Sequence, residues 1–229
     1  MTPRGPAPPP RDVTRHALLV AVAQLQTTLE AHLEASEAAG TLAQAAVDAF
    51  HAAGLYGLKL PAVLGGYEAD PLLQIDVIEA VSRIHPTAGW NLFVCGTGIG
   101  LAGAFLPQAA LPRVFTGPQP PIAAGVLRPW GRATPVPGGY RVRGCWPFAS
   151  GIRNATWFCG GTTAPGGETR MVEFILIKSW AARGAGAPGN CAGHSRIPSP
   201  DRGPPPSIDE CGPSRYLRCG KVTPASEFD

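Results

Sequence analysis

The segment GCWPFASG, residues 144–151, contains residue types suited to holding a flat ring with polar edges. In a strand, Trp146, Phe148 and Ser150 would lie on one face, because side chains alternate with period two. Phe148 could then lie against a planar ring while the Ser150 hydroxyl or a backbone N–H reaches a ring nitrogen or carbonyl. Gly151 would let the backbone come close. The structural alternative is a strand end with two core aromatic residues and a Ser-Gly turn.

Apolar residues at helical spacing dominate the chain before this segment. They predict helices over residues 12–39, 42–53, 72–83, 86–106 and 108–115. Gly40 is predicted to end the first helix and Thr41 to cap the second. Residues 54–70 contain Pro61 and a Gly-Gly pair, which predict a loop without regular structure. His85, before Pro86, is predicted to be an exposed residue at a helix boundary.

Residues 88–106 are uncharged over about the length that spans a bilayer. Their glycines, together with Asn91 and Thr97, dilute the apolar character of the segment. Glycine-rich apolar helices also occur where helices pack closely. The segment is therefore predicted to be a buried core helix, and no membrane partner is expected.

The pattern changes after Gly117. Short runs rich in β-branched and aromatic residues, separated by VPGG and APGGE, predict strands joined by turns. Helices followed by strands, without regular alternation, indicate the α+β class. We predict an all-helical N-terminal domain over residues 12–116 and a small antiparallel, barrel-like β domain, truncated, over residues 117–179.

The two ends of the chain lack a hydrophobic period. Residues 1–11 are a proline-rich lead-in that is expected to be disordered. Residues 180–229 are dominated by Gly, Pro, Arg, Ser and Cys, and such a segment buries too little apolar surface to offset its ordering entropy. We predict a disordered tail. Because the change comes abruptly after a clear strand pattern, our hypothesis is that the tail is a frameshifted or otherwise aberrant continuation.

Composition excludes several classes of partner and site. A net charge of +3 with scattered Lys and Arg gives no footprint for nucleic acid. Six cysteines without a CxxC motif favour a reduced, cytoplasmic setting. The spacing of Cys191, His194, Cys211 and Cys219 is too irregular for a zinc site, so no metal is expected.

Three segments in order resemble one family. FHAAGLYGLKLPAVLGGYEAD, DVIEAVSRIHPTAGWN and IAAGVLRPWGRATPVPGGYRVRGCWPFASGIRNATWF are similar to the helical and middle β portions of the acyl-CoA dehydrogenase superfamily. The resemblance covers about residues 14–178. It is strongest to two-component flavin-dependent monooxygenases that hydroxylate aromatic substrates.

The resemblance implies a flavin, FAD or FMN, bound between the β domain and a C-terminal four-helix bundle that this chain lacks. The family's W-x-[ST] segment, which contacts the isoalloxazine ring, corresponds to Phe148, Ala149 and Ser150. Trp146 and Gly151 flank this segment and are included as cofactor-binding candidates. Trp90 and Asn91 match pocket-facing positions on the fourth helix, although a core role for Trp90 and a local hydrogen bond for Asn91 are the alternatives.

The implied activity is oxygen transfer from reduced flavin and O2 to a small aromatic substrate, with a separate flavin reductase as partner. No catalytic residue is assigned, because the family draws such groups largely from the missing bundle, which also forms the homotetramer. One alternative is an acyl-CoA dehydrogenase, although GVLRPWGRA lacks the TEPxAGSD pattern. The other is a non-catalytic fragment or binding scaffold.

Overall fold

The computed structural model describes residues 11–175, apart from positions 109, 118, 137–138, 145, 147 and 168. The predictions for the lead-in before residue 11, for the tail at 180–229 and for a C-terminal bundle lie outside the described residues. Helices occupy the first part of the described chain and strands the second, which confirms the α+β class. The helices are α1 (Arg11–Gln24), α2 (Gln26–Ala31), α3 (Leu33–Ala39), α4 (Gln44–Ala52), α5 (Pro71–Ile84), α6 (Pro86–Phe105) and α7 (Leu111–Val114).

The single first helix predicted over residues 12–39 is wrong, because the chain breaks at Leu25 and His32. Neither break involves Pro or Gly, so residue type gives no warning of them. At the second break, the Ser36 hydroxyl donates to the His32 carbonyl at 2.7 Å, a pattern that bends helices. Ser36 Oγ also accepts from the Ala43 N–H, so it fixes the start of α4. Ala43, and not the predicted Thr41, is the residue that precedes α4 as its N-cap.

The predicted loop at 54–70 contains two short 3₁₀ segments, Leu55–Lys59 and Ala62–Leu64. The chain then doubles back, and the Tyr67 and Ala69 N–H groups donate to Gly57 and Leu58 carbonyls. These backbone bonds make the segment regular in spite of Pro61. The sequence prediction was wrong here because the partners lie about ten residues apart, beyond the reach of local propensity.

Two helix starts agree with their sequence signals. The Asp70 carboxylate accepts from the Leu72 and Leu73 N–H groups, and Pro71 occupies the first position of α5. Pro86 has the same place in α6, whose bounds lie within one residue of the prediction. These signals suffice because a cap is a contact between near neighbours in the chain.

The strands form one mixed sheet in the order β2-β1-β3-β4. Their bounds are β1 (Ala123–Val136), β2 (Gly139–Gly144), β3 (Trp157–Thr163) and β4 (Thr169–Ile175). The two outer pairs are antiparallel, but the central pair of β1 and β3 is parallel, so the predicted antiparallel barrel is wrong. A parallel pair needs a crossover, and residues 145–156 form that connection between β2 and β3.

Strand β1 departs from β3 halfway along its length. The register shifts between Val126 and Gly131, and Pro129, which has no N–H to donate, lies in the gap. Leu127, in the same gap, is 60% exposed. The irregularity therefore leaves part of β1 open on the surface.

Helix α6 lies at the centre of the molecule and packs on the segment Leu55–Lys59, on α5 and on β1. By length and composition alone it could cross a membrane, and 56% of its most apolar window is buried inside the chain. Its glycines allow close approach: a Cβ at Gly98 would overlap the Ala123 carbonyl of β1, and one at Gly89 would overlap the Ser82 hydroxyl of α5. The apolar, glycine-rich composition of α6 thus has a packing explanation.

Buried apolar residues of the described chain form three clusters, two of which include residues of α6. The largest joins α1 to α6, and its fully buried members include Leu29, Phe50, Leu55, Val77 and Val81. A second cluster lies on the sheet around Trp146 and Phe158. A third joins Ile99 and Ala102 of α6 to Ala123 of β1, and so connects the helical and β portions.

The substitution Gly98→Ala should lower the free energy of unfolding by about 1–3 kcal/mol, because its Cβ meets backbone that cannot move without parting α6 from β1. Gly96→Ala is the matched control, since its Cβ would lie at an ordinary 3.8 Å from the Tyr56 carbonyl oxygen. That control should gain up to about 1 kcal/mol from helix propensity. Chemical denaturation measures both, and equal effects would contradict the packing argument.

His85, between α5 and α6, is fully buried, so its predicted exposure is wrong. Neither ring nitrogen has a hydrogen-bond partner in the described part of the chain. Burial lowers the pKa of His85 from the ordinary 6.5, and the nearby Glu37 carboxylate opposes this in part. The folded chain therefore favours the neutral ring.

Because the folded pKa lies below the unfolded one, stability is at its full value above about pH 6.5 and falls as the pH drops towards the folded pKa. His85→Leu should flatten this acid-side decrease in the free energy of unfolding. Denaturation curves between pH 7.5 and 5 would test it, with His16→Gln at an exposed position of α1 as control. An unchanged slope in His85→Leu would disprove the assignment.

Candidate functional site

The predicted ring-binding segment is a turn, since β2 already ends at Gly144. Residues 148–154 form successive turns, with Ser150, Ile152 and Asn154 N–H groups donating to Phe148, Ala149 and Gly151 carbonyls. Phe148 has a φ of +62° and a side chain that is 61% exposed. The prediction that Trp146, Phe148 and Ser150 share one face of a strand is therefore wrong.

Trp146 points away from Phe148 and into the sheet. It is 8% exposed, its indole N–H donates to the Gly161 carbonyl at 2.9 Å, and its ring meets Phe158 edge to face at 5.6 Å. The indole N–H of Trp146 is thus hydrogen-bonded within the core. Phe148 and the partly buried Ser150 remain the two predicted side chains of this segment that are open to a ligand.

Gly151 places the turn directly against α6. It is buried with a φ of +77°, and a Cβ there would overlap Cys95 Sγ and lie 3.6 Å from Asn91 Nδ2. Glycine is the residue type that adopts this backbone conformation without strain and that fits so small a space. Gly151 therefore sets how closely the turn approaches the helix that carries Trp90 and Asn91.

A partly buried polar network fixes the same contact. Asn154 Oδ1 accepts from Asn91 Nδ2 at 3.2 Å and from the Thr41 hydroxyl at 3.3 Å, and Asn154 Nδ2 donates to the Leu42 carbonyl at 3.1 Å. Asn91 Oδ1 in turn accepts from the Tyr56 hydroxyl at 2.8 Å. The network joins the crossover to α6, to the segment before α4 and to the first 3₁₀ segment.

Tyr56 keeps this network neutral. Burial, followed by the charges of Cys95 and Asp48, raises the pKa of Tyr56 well above its ordinary value of 10.0. The hydroxyl is therefore a permanent donor to Asn91. The prediction that Asn91 faces a pocket is not supported by this geometry, because the side chain is 4% exposed and both ends of its amide are engaged.

Trp90 lies on the outer face of α6 and is 51% exposed. Its ring stacks on Phe93 with centroids 5.6 Å apart and planes tilted by 35°, and Phe93 is 40% exposed. The Lys59 ammonium lies over the Phe93 ring, 3.9 Å from its centroid. This aromatic pair, Trp90 and Phe93, is a surface that a flat molecule can contact.

A separate open cleft of about 610 Å³ lies between α4 and the segment before β1. It contains none of the predicted site residues. Its polar side chains pair with one another, Gln44 with Asp48 and His51 Nδ1 with Gln119 Oε1 at 2.9 Å. In the described part of the chain no cluster of metal-ligating side chains occurs, here or elsewhere.

Sequence reasoning missed Asn154, Tyr56 and Thr41. Their partners lie 35 to 113 positions away in the chain, so no local pattern could have shown them. Phe93 was part of the apolar helix pattern, but its pairing with Lys59 depends on how the 3₁₀ segment packs on α6.

No protein-family profile matches the chain, but several curated proteins are similar to it. The chain is 30% identical over 109 residues to an indole-3-acetate monooxygenase of Pseudomonas putida, covering 48% of this chain and 28% of that protein. It is 27% identical over 152 residues to the flavin-dependent monooxygenase oxygenase subunit HsaA of Rhodococcus jostii, covering 66% of this chain and 39% of that protein. It is 25% identical over 173 residues to an FADH2-dependent resorcinol hydroxylase of Rhizobium, covering 75% of this chain and 42% of that protein.

The chain is a relative of flavin-dependent monooxygenase oxygenase components. The resemblance inferred from its motifs is thereby confirmed. Two solved structures share the acyl-CoA dehydrogenase-like fold. The 3-HSA hydroxylase of Rhodococcus matches with a TM-score of 0.63 and 24% identity, and the match covers 72% of this chain and 43% of that one. XiaF from Streptomyces, in complex with FADH2 and glycerol, matches with a TM-score of 0.69 and 22% identity, and the match covers 94% of this chain and 51% of that one. The chain spans less than half the length of these curated relatives.

Asn154→Ala should lower the free energy of unfolding by about 1–3 kcal/mol, because it leaves buried polar groups of Asn91 and Leu42 unpaired. Hydrogen exchange of residues 148–156 should accelerate at the same time, since the turn loses its attachment to α6. The neighbouring Arg153→Ala, which removes an exposed bond to the Ala39 carbonyl, should change stability by less than about 0.5 kcal/mol. Similar effects of the two variants would refute the role of the network.

Proposed function

We propose that this chain supplies one wall of the flavin site in the oxygenase component of a two-component monooxygenase. The observation that carries the proposal is the agreement of its curated relatives, which are named as monooxygenases or hydroxylases and include one that is FADH2-dependent. The substrate would be a small aromatic molecule, as the names of the indole-3-acetate and resorcinol enzymes suggest.

The side chains of the turn have the chemical type and the exposure that contact with a flavin ring requires. Phe148 offers an exposed aromatic face on a turn, and Ser150 offers a hydroxyl two residues away. The open stretch of β1 adds the exposed Leu127. We propose Phe148, Ser150 and Gly151 as the cofactor-binding residues, and we retain Trp146 as the core support on which their turn stands, because its indole N–H is bound to Gly161.

Reduced flavin, when bound, would supply the electrons that activate O2 for oxygen transfer to an aromatic ring. The residues of this chain would position the flavin and exclude water from it. Gly151 and Asn154 hold the turn at a fixed distance from α6, and the exposed ring of Phe148 would cover part of the flavin ring and keep water from it. Ser150 would orient a polar edge of the ring through its hydroxyl.

The partners follow from the same proposal. A separate flavin reductase would deliver the reduced cofactor in the cytoplasm, and the whole assembly would be a homotetramer, as the family resemblance implies. We keep the division into a helical domain at 12–116 and a β domain at 117–179 as part of this proposal.

Anaerobic titration of the chain with FADH2 and FMNH2, and aerobic titration with the oxidised forms, tests flavin binding through the cofactor's own absorbance and fluorescence. Ser150→Ala should weaken binding about three- to tenfold, the loss expected for one hydrogen bond. Thr27→Ala, an exposed hydroxyl on α2, is the matched control and should bind like the parent chain.

Absence of saturable binding by the folded chain would contradict the proposal that this wall holds flavin by itself. Binding unaffected by Ser150→Ala would move the contact elsewhere on the sheet. Turnover of an acyl thioester without a reductase would favour the acyl-CoA dehydrogenase alternative.

A further inference from the structure

Lys59 ends the first 3₁₀ segment and lies along α6. Its backbone packs so closely on the helix that a Cβ at Gly100 would be 3.0 Å from the Lys59 carbonyl oxygen. From there the side chain runs back towards the start of α6, and its ammonium donates to Thr97 Oγ1 and to the Phe93 carbonyl at 3.3 Å. The charge is thus held at a defined place beside the Trp90–Phe93 aromatic pair.

No carboxylate pairs with this ammonium in the described part of the chain, whereas Arg15 pairs with Asp76 and Arg83 with Glu79. Burial alone lowers the pKa of Lys59, and no nearby carboxylate offsets the effect. An ammonium has three N–H groups, so the hydrogen bonds to Thr97 and to the Phe93 carbonyl leave one N–H group for a ligand. A half-buried cation without a counter-charge is a costly arrangement that a bound anion would relieve.

The surroundings of the charge are aromatic and open. The Lys59 ammonium covers one face of Phe93, while Trp90 stacks on Phe93 and leaves about half of its own surface exposed. A flat ligand can therefore pack against the exposed edges of this pair and still direct a polar group towards Lys59.

We propose that Lys59 is an anion-recognition residue, and that the site it forms with Phe93, Trp90 and Thr97 takes an aromatic ligand bearing a carboxylate or phenolate oxygen. The oxygen accepts from Lys59 Nζ while the ring packs on Trp90 and Phe93. This inference rests on the proposed function, in which it narrows the substrate class from aromatic molecules to aromatic oxyanions.

Two fluorescent probes of the same shape test it: 1-naphthylacetate, which is an anion, and 1-naphthylacetamide, which is neutral. The full chain, without flavin, should bind the acid about tenfold more tightly than the amide, as one charge-assisted hydrogen bond provides. Lys59→Met keeps the apolar stem and removes the charge, so it should weaken the acid alone and bring the ratio close to one. Lys59→Arg should keep most of the preference.

Arg83→Gln removes an exposed cation from α5 and controls for general loss of positive charge, so its ratio should equal that of the parent chain. Equal affinity for both probes, no binding of either by the folded parent chain, or a preference that survives Lys59→Met would each overturn the inference. The parent ratio decides the matter even where Lys59→Met fails to fold. If the parent chain binds no flavin but still binds the acid probe more tightly than the amide, the monooxygenase proposal is overturned and Lys59 remains an anion-recognition residue.

Discussion

The partly buried contact between the Asn154 and Asn91 side chains is the interaction on which the rest of the site depends. The crossover from β2 to β3 must leave the sheet, turn over α6 and return beside β1, and its apolar residues Trp146, Ala149 and Ile152 pack in the cluster on the sheet. Amide groups specify such a path well, because a buried amide left unpaired is costly and its partners are few. Asn154 also binds Thr41 and Leu42 in the segment before α4, and Asn91 accepts from the Tyr56 hydroxyl. One residue of the crossover is thus tied directly to two parts of the helical portion and through Asn91 to a third.

Close approach of backbones is the second constraint, and it makes the amide contact possible. Gly98 lets α6 lie on β1, and Gly151 lets the turn lie on α6, so that Asn91 and Asn154 come within hydrogen-bond distance. Larger residues at either glycine would separate surfaces that carry the polar network. The glycine content that makes α6 resemble a membrane helix in composition is thus explained by packing inside the molecule.

The sequence predicted those features that near neighbours determine. Apolar spacing placed α5 to within one residue at each end, Pro86 marked the start of α6, and turn signals predicted strands after Gly117. Features set by distant contacts were not predictable: the parallel pairing of β1 with β3, the burial of His85 and the end of β2 before Trp146. The FASG segment was selected as a candidate site by its residue types, and its conformation was missed for the same reason.

The corrected conformation changes what the site can do. In a strand, Phe148 and Ser150 would share one face with a core tryptophan, and a ligand would compete with the sheet for that face. In the turn, Trp146 faces inward and anchors the segment through Gly161, while Phe148 is free to face a ligand. Core and ligand contacts are therefore assigned to different residues. The turn contacts the buried side of α6, where Gly151 lies against Cys95 and Asn91, whereas Trp90 and Phe93 are exposed on the same helix. A cofactor on the turn and an aromatic anion beside Lys59 would therefore lie on different sides of α6, whose position relative to the turn is fixed by the Asn91–Asn154 hydrogen bond.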